Sequence, residues 1–178
     1  LRSGRVRIGP ANPDGTETAV IVVSNTSPLT NLAAVGRIDI LRQLYSRIII
    51  AEAVHRELTA DNGTWPGAIV NSLDWIEARP INNPLLVTAL RTELDEGEAE
   101  TIVLAQELTA KLVIMDERRG RLTAGRFGLP VIGLLGALIE ARRRDLIPEI
   151  KPSLDDLRHS GFWIRQDLYD SVLKVAGE

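Results

Sequence analysis

Length, composition and charge restrict what this chain can be. It has 178 residues, of which 44% are hydrophobic, enough to bury the core of one domain. The formal net charge is −3, from 21 Lys and Arg against 24 Asp and Glu, so binding of a nucleic acid would require a local basic patch. Cysteine is absent, which excludes disulfides, thiolate metal sites and cysteine nucleophiles. No apolar run approaches the roughly 20 residues of a transmembrane helix, and we expect a soluble, cytoplasmic protein that does not bind membranes.

Residues 1–19 differ from the rest of the chain. They carry Gly, Pro, Asn and Asp at short intervals and show neither helical nor strand periodicity. We expect an N-terminal tail here, which an expression vector could have contributed in part. A single domain is expected over residues 20–178, ending in a helical extension from about residue 150.

From Val20 onward, predicted strands and helices alternate. Strands are predicted at Val20–Ser24, Arg47–Ile50, Asp74–Ala78, Lys111–Met115 and Pro130–Ile132. Helices are predicted at Pro28–Val35, Ile38–Leu44, Glu52–Thr59, Trp65–Leu73, Pro84–Glu93, Gly97–Leu108, Leu122–Phe127 and Leu134–Arg143, followed by two more that are broken at Gly161. This alternation is typical of a three-layer α/β/α sandwich with a central, mainly parallel sheet of about five strands. If the fourth strand returns beside the first, a crevice opens between them.

Two polar residues stand directly after apolar strands. Asn25 follows AVIVVS and Asp116 follows KLVIM, and ligands of open parallel sheets bind at the carboxyl ends of the strands. Ser27, followed by Pro28, is predicted to cap the next helix. Alternatively, Asn25 only makes the hydrogen bonds of a turn.

Two glutamates are predicted to face the same crevice from helices. Glu98 shares a helix face with Ile102 and is predicted to be the only carboxylate of its helix that meets the core. Alternatively, Glu98 forms a capping box with Asp95. Glu57 shares a face with apolar neighbours in AEAVHREL, although a solvated Glu is the simpler interpretation of that position.

An acidic residue and several basic residues follow Asp116. Glu117 is followed by Arg118, Arg119, Gly120 and Arg121, which we predict to form a tight loop before the next helix. Arginine binds phosphate oxygens in a bidentate manner, so the loop would hold a nucleic-acid backbone near the acids. Alternatively, the segment is a solvated turn with weak local ion pairs.

Five segments in order resemble successive blocks of the PIN-domain superfamily, specifically the DUF3368 group of PIN-like proteins from bacteria and archaea. They are VVSNTSPLTNLAAVGRIDILRQLY, IIIAEAVHREL, LDEGEAETIVLAQEL, LVIMDERRGR and LPVIGLLGALIEARRRDLIP, and the resemblance covers roughly Val20 to the C terminus. It implies a metal-dependent endoribonuclease that uses Mg²⁺ or Mn²⁺. It also implies a toxin of a toxin–antitoxin pair, similar to VapC toxins, with RNA as substrate and a cognate antitoxin as partner; we further expect a homodimer.

The resemblance also implies roles for individual residues. The acidic positions of PIN domains match Asn25, Glu57, Glu98 and either Asp116 or Glu117, and the hydroxyl residues that follow the first position match Thr26 and Ser27. Glu98 and Asp116 would hold the metal, with Glu117 as the alternative to Asp116. Asn25 would complete the shell or orient water, Glu57 would support a second ion or the nucleophile, and Arg118 and Arg119 would position the phosphate backbone.

One position departs from the family pattern. Asn25 stands where PIN nucleases have Asp. An amide oxygen can ligate a hard cation, but it brings no negative charge. The alternative is therefore a catalytically inactive PIN-like module that binds RNA, an antitoxin or its own copy. The aromatic pair Phe162 and Trp163 is expected to pack on the domain's own core, or otherwise to form part of such an interface.

Overall fold

A five-stranded sheet lies at the centre of the computed structural model, which describes residues 20–60 and 66–178. The strands are β1 Val22–Ser24, β2 Ile48–Ala51, β3 Ile76–Arg79, β4 Leu112–Ile114 and β5 Val131–Ile132. Their spatial order is β3-β2-β1-β4-β5, and every neighbouring pair is parallel. The order reverses between β1 and β4, as predicted from the sequence, so the crevice lies at the carboxyl ends of these two strands.

Helices cover the sheet. They are α1 Thr26–Ala34, α2 Asp39–Tyr45, α3 Glu52–Ala60, α4 Gly67–Asn71, α5 Pro84–Leu90, α6 Glu96–Glu107, α7 Arg118–Arg126, α8 Leu134–Arg143, α9 Lys151–His159 and α10 Gln166–Ala176. The predicted three-layer α/β/α fold with a parallel sheet is confirmed. The predicted break at Gly161 is also present, since this glycine has a φ of +96° between the last two helices. The predicted tail over residues 1–19 and Trp65 lie outside the described residues.

One continuous hydrophobic core fills the space between sheet and helices. The strand side chains Val23, Ile48, Val113 and Ile114 are 0% exposed, as expected for strands of a parallel sheet covered on both faces. The C-terminal helices join this core through Leu154, Leu157, Tyr169 and Val172. Ile164 is buried there too, whereas Trp163 is 78% exposed, so only part of the aromatic segment packs on the core. No helix of the described residues is both long and apolar enough to cross a membrane.

Helix α6 corrects one prediction from the sequence. We predicted one core-facing side carrying Glu98 as its only carboxylate, but every residue from Gly97 to Ala105 is buried, including Glu100. The reason is tertiary, because α6 contacts β1, β2 and β4 on one side and α3, α5 and α7 around the rest. The stretch from Gly97 to Ala105 therefore has no solvent face for a second carboxylate.

Candidate active site

The carboxyl ends of β1 and β4 bring Asn25 and Asp116 to the same edge of the sheet. Ser24 pairs in register with Ile114, and the Asn25 amide donates to the Ile114 carbonyl at 3.0 Å. Asn25 and Asp116 follow these paired positions in the chain. The structure therefore places them on adjacent strands at the predicted crevice.

Asn25 begins helix α1 without capping it. It is the N-cap residue, with an extended backbone (φ −81°, ψ 172°), but its side chain makes no cap hydrogen bond. The residue is 6% exposed, and its Oδ1 atom is buried without a hydrogen-bond partner. The alternative that Asn25 only serves the turn would use this oxygen locally, and in the structure Oδ1 accepts no such bond.

Ser27 is not the helix cap that the sequence predicted. Helix α1 begins at Thr26, before Ser27, because the extended Asn25 leads directly into helical backbone. Pro28 then occupies the third helical position, where its missing N–H removes no intrahelical bond. The Ser27 hydroxyl instead accepts a hydrogen bond from the Asn31 side-chain amide at 3.1 Å.

Glu98 belongs to a capping box, but one of its two carboxylate oxygens has no hydrogen-bond partner. Its amide donates to Asp95 Oδ1 at 2.7 Å, and its Oε2 accepts from the Asp95 amide at 3.3 Å, so the alternative interpretation of this residue is correct. The other oxygen, Oε1, is buried and has no partner. A cap uses only one carboxylate oxygen, which leaves Oε1 available for a ligand.

Asp116, like Glu98, has one carboxylate oxygen in a hydrogen bond and one without a partner. Its Oδ1 accepts a hydrogen bond from the amide of Leu134, the first residue of α8, at 2.8 Å. Its Oδ2 is buried without a partner. Glu117, the alternative candidate, is exposed and stands at the N-cap of α7 without a side-chain cap bond. Of the two acids, Asp116 is the one fixed at the sheet edge.

Glu57 reaches the site from helix α3. The residue as a whole is exposed, but its Oε2 accepts a hydrogen bond from the Thr26 hydroxyl, and its carboxyl group lies against the backbone of Gly97. Thr26 thus connects the start of α1 with α3. The simple solvated interpretation of Glu57 does not hold, because its carboxyl group has a specific partner.

Three glycines make room for the three carboxylates. A Cβ atom on Gly97 would lie 3.0 Å from Glu57 Cδ, one on Gly120 would lie 2.8 Å from Glu98 Oε1, and one on Gly133 would lie 2.9 Å from Asp116 Oδ1. Real Cβ atoms essentially never approach other heavy atoms within 3.0 Å. These glycines were not predicted from the sequence, although each stands within a segment that carries a candidate acid or follows one: DEGEAE, DERRGR and PVIG.

The electrostatics disfavour negative charge on all three acids. Burial is the largest cause that raises the pKa of Glu57, Glu98 and Asp116. Neighbouring carboxylates raise the pKa of Glu98 further, among them Asp95, Glu117 and Glu57. For Asp116, the Leu134 amide and the Arg121 guanidinium oppose the effect of burial on the pKa. A cation placed among these groups would favour their charged forms.

The donor set suits a hard divalent cation. Asn25 Oδ1, Glu98 Oε1 and Asp116 Oδ2 are all buried oxygens without a partner, and carboxylate and amide oxygens are ligands of Mg²⁺ and Mn²⁺. No group of three or more acidic or histidine side chains with metal-binding geometry occurs within residues 20–60 and 66–178. Glu57, Glu98 and Asp116 therefore do not form such a group by themselves, and the donor set depends on the amide oxygen of Asn25.

Arg118 and Arg119 stand at the beginning of a helix, which corrects the predicted loop. Helix α7 starts at Arg118 and not at Leu122, because Glu117 adopts the extended conformation of an N-cap and the arginines continue directly into helix. Both are exposed, and in the described part of the chain neither forms an ion pair. Cations in a first turn oppose the helix dipole at a cost of about 0.3–1 kcal/mol each, so their placement is not explained by helix stability.

Glu100 is a buried carboxylate that the sequence did not reveal. It is 8% exposed, and its Oε2 accepts a hydrogen bond from the amide of Ala53 at 2.8 Å, in the first turn of α3. Its Oε1 contacts the Arg56 guanidinium at 3.3 Å. Glu100, from helix α6, therefore satisfies a free amide at the start of α3. Glu57 lies one turn after Ala53 on the same helix. His55 and His159 are exposed.

Comparison with known families agrees with this architecture. Residues 21–178 match the model of the DUF3368 family, which is described as a PIN domain, and the chain belongs to that family. PIN domains are generally nucleases, so the protein has a nuclease-type fold and, at this coarse level, the fold of a hydrolase. PIN nucleases generally use divalent metals, in agreement with the donor set at the sheet edge. No curated protein matches the chain.

Proposed function

We propose that the protein is a Mg²⁺- or Mn²⁺-dependent endoribonuclease that hydrolyses RNA phosphodiester bonds. The observation that carries the proposal is the set of three buried, unpartnered oxygens, Asn25 Oδ1, Glu98 Oε1 and Asp116 Oδ2, at the edge where ligands of parallel sheets bind. Leaving a buried polar atom unpaired costs about 1–3 kcal/mol. Three such atoms, on elements that meet at the carboxyl ends of β1 and β4, support a site whose partner is a ligand.

In the proposed mechanism each side chain has one role. Glu98 and Asp116 hold the metal, and Asn25 completes the shell or orients water. When bound, the cation would lower the pKa of the attacking water and neutralise charge on the phosphate. Glu57, whose Oε2 is occupied by Thr26, has a raised pKa and keeps Oε1 to accept a proton from that water or to support a second ion. Glu117 is the alternative fourth acid.

The arginines of α7 complete the proposal. Arg118 and Arg119 are exposed in the first turn of that helix, two and three residues beyond Asp116, where the helix dipole adds positive potential. They would position the phosphate backbone against the metal. Ser27, bonded to Asn31, is not required for this role, whereas Thr26 orients Glu57.

The decisive experiment compares cleavage of a mixed, structured RNA by the natural protein and by Asp116→Asn in Mg²⁺, Mn²⁺ or EDTA. We expect cleavage only with metal, and a loss of at least about 100-fold in the variant, the scale of a lost catalytic group. Asp145→Asn is the matched control, since its carboxylate is 88% exposed and lies in another part of the fold. Metal-independent cleavage, or equal activity of a folded Asp116→Asn, would contradict the proposal.

The family resemblance also supports a proposal about the biological role of the protein. The protein would act in the cytoplasm as the toxin of a toxin–antitoxin pair, inhibited by a cognate antitoxin and assembled as a homodimer. Three apolar side chains of the C-terminal segment support a protein interface, since Trp163, Leu168 and Val175 are 78%, 42% and 65% exposed. Analytical sedimentation of the natural protein and of Trp163→Ser would test the homodimer. If Trp163 lies in the interface, the variant should dissociate into monomers at a higher protein concentration than the natural protein does.

A second function is favoured by Asn25. Without a carboxylate at this position the site lacks one negative charge, and the protein would then be an inactive PIN-like module that binds RNA or an antitoxin. This alternative predicts that the natural chain does not cleave RNA in any metal. It also predicts that Asn25→Asp creates metal-dependent cleavage, because the substitution restores the charge that attracts the cation.

A further inference from the structure

A cleft lies between helix α7 and the turn that precedes α6. Its volume is about 300 Å³, and it is lined by Thr92, Glu93, Arg119, Leu122, Thr123 and Arg126. This volume is at the lower end of the range of small-molecule pockets, roughly 300–1,000 Å³. It is large enough for a nucleotide-sized group and too small for a protein helix.

The cleft shares both of its walls with the candidate active site. Helix α7 contributes Arg119 and Arg126 to the cleft, while Gly120 of the same helix faces Glu98 Oε1. The opposite wall, Thr92 and Glu93, leads within two residues to Asp95, whose carboxylate caps α6 beside Glu98. A chain bound in the cleft would therefore continue towards the acids.

The charges of the cleft fit a polyanion. Helix α7 has the sequence RRGRLTAGR, with four arginines and no acid, in a protein whose net charge is −3. Arg119 and Arg126 are seven residues apart on one face, about 10.5 Å along the helix axis. This distance is enough for each guanidinium to contact a different phosphate of one strand.

The centre of the cleft is apolar. Leu122 lies between the two arginines on the same face and is 56% exposed. An exposed Leu flanked by arginines is a surface on which a base or ribose can rest while the phosphates on either side bind the guanidinium groups. Thr123, which is buried, forms the floor beside it.

Among the described residues, one acid competes for these arginines. Glu93 contacts Arg126 at 3.6 Å, with side chains that are 65% and 70% exposed. Such an exposed pair contributes about 0–1 kcal/mol, less than a charge-assisted bond between arginine and phosphate. A bound phosphate would therefore displace Glu93 from Arg126.

We propose that this cleft is a nucleotide subsite for single-stranded RNA beside the scissile phosphodiester. Arg126 binds the phosphate farther from the acids, Arg119 binds the nearer one, and Leu122 contacts the ribose or base between them. The inference rests on the proposed nuclease function and deepens it, because it assigns Arg126 and Leu122 as substrate-binding residues. Glu93 sets the affinity of the subsite by competing for Arg126.

Binding in EDTA tests the subsite separately from catalysis. Fluorescence anisotropy of a short, labelled 2′-O-methyl RNA single strand would be measured with the natural protein, Arg126→Gln, Glu93→Gln and Arg143→Gln. Arg143 is the matched control, since it is 68% exposed and contacts one glutamate at 3.8 Å, much as Arg126 does. We expect Arg126→Gln to weaken binding by about tenfold, Glu93→Gln to strengthen it about two- to fivefold, and Arg143→Gln to change it less than twofold.

The salt dependence gives a second readout. Loss of one phosphate contact to a single strand lowers the slope of log affinity against log salt by about 0.7, and we expect this change for Arg126→Gln alone. Equal losses in Arg126→Gln and Arg143→Gln, or unchanged binding in Glu93→Gln, would overturn the subsite. The outcome is distinguishable from that of the nuclease proposal, because RNA binding in EDTA is measured without cleavage, whereas the nuclease proposal is tested by the loss of cleavage in Asp116→Asn.

Discussion

Gly120 of helix α7 lies directly against the carboxylate of Glu98, such that a Cβ atom on the glycine would be 2.8 Å from Glu98 Oε1. The same hypothetical atom would also collide with the sulfur of Met115. Met115 is 0% exposed and Glu98 is 5% exposed, so neither side chain can move into solvent. The position of the Glu98 carboxylate thus depends on the absence of a side chain at residue 120.

We expect Gly120→Ala to destabilise the protein by about 1–3 kcal/mol, the cost of overpacking a filled core, and to lower cleavage by displacing Glu98. Gly125→Ala is the matched control, because Gly125 belongs to the same helix, is exposed and has no atom within 4 Å of its hypothetical Cβ. In that position Ala stabilises the helix by about 0.5–1 kcal/mol. Unfolding in urea measures both changes, and a Gly120→Ala protein as stable as Gly125→Ala would refute the close contact.

The sequence predicted the sheet because its signals are local. Each of the strands β1, β2 and β4 is an apolar run, and the return of β4 beside β1 follows from the rules for parallel connections. The start of α7 was wrong for the opposite reason. Arg118 to Arg121 show no apolar periodicity, and the helix extends over them because Glu117 is extended and caps it by backbone alone.

The candidate site was predicted from two signals, a polar residue after an apolar strand and a glutamate that shares a helix face with apolar neighbours. Asn25 and Asp116 follow apolar strands, so their location could be inferred, but which oxygen lacks a partner depends on the Leu134 amide and on the packing around α1. The roles of Gly97, Gly120 and Gly133 could not be predicted, since the sequence does not distinguish a glycine that accommodates a carboxylate distant in the chain from a glycine in a turn. Glu100 was assigned to the wrong environment because α6 is enclosed by other elements.

The stability of the metal-free protein should depend on pH through Asp116. Burial raises the pKa of this carboxyl in the folded state, so its protonated form is favoured by folding. The associated stability is present below the unfolded pKa of about 3.9 and is lost as pH rises through the higher folded value. In Asp116→Asn the neutral amide would mimic the protonated acid at every pH. In EDTA this variant should therefore match the natural protein near pH 4 and exceed its Tm at pH 8.

Thermal unfolding of both proteins in EDTA between pH 4 and pH 8 measures this difference. Each kcal/mol corresponds to about 2–4 °C for a chain of this size. Asp145→Asn provides the control, since that exposed carboxylate should show no such divergence. A Tm difference between Asp116→Asn and the natural protein that shrinks as pH rises would contradict the raised pKa.

Asn25→Asp should exchange stability for metal affinity. The new carboxylate would be buried at the same edge of the sheet as Asp116 and would destabilise the protein in EDTA at neutral pH. The added charge should tighten Mg²⁺ or Mn²⁺ binding by about tenfold, equivalent to roughly 1.4 kcal/mol. Calorimetric titration with Mn²⁺ measures the affinity, and Gln106→Glu, at an exposed position near the C-terminal end of α6, adds the same charge away from the site. Equal tightening in both variants would mean that Asn25 Oδ1 is not a ligand.

Glu100 should prove to be a positioning residue for Glu57. Glu100→Ala removes the acceptor of the Ala53 amide, and Ala53 is 2% exposed, so the unpaired N–H should cost about 1–3 kcal/mol. Because Ala53 and Glu57 are one turn apart on α3, we also expect slower cleavage, with partial rescue by Glu100→Gln, which retains an acceptor oxygen. Glu96→Ala is the control: it removes another contact to Arg56, at 3.4 Å between exposed side chains, worth at most about 1 kcal/mol. If Glu96→Ala and Glu100→Ala lower the free energy of unfolding equally, the role of Glu100 is only to pair with Arg56.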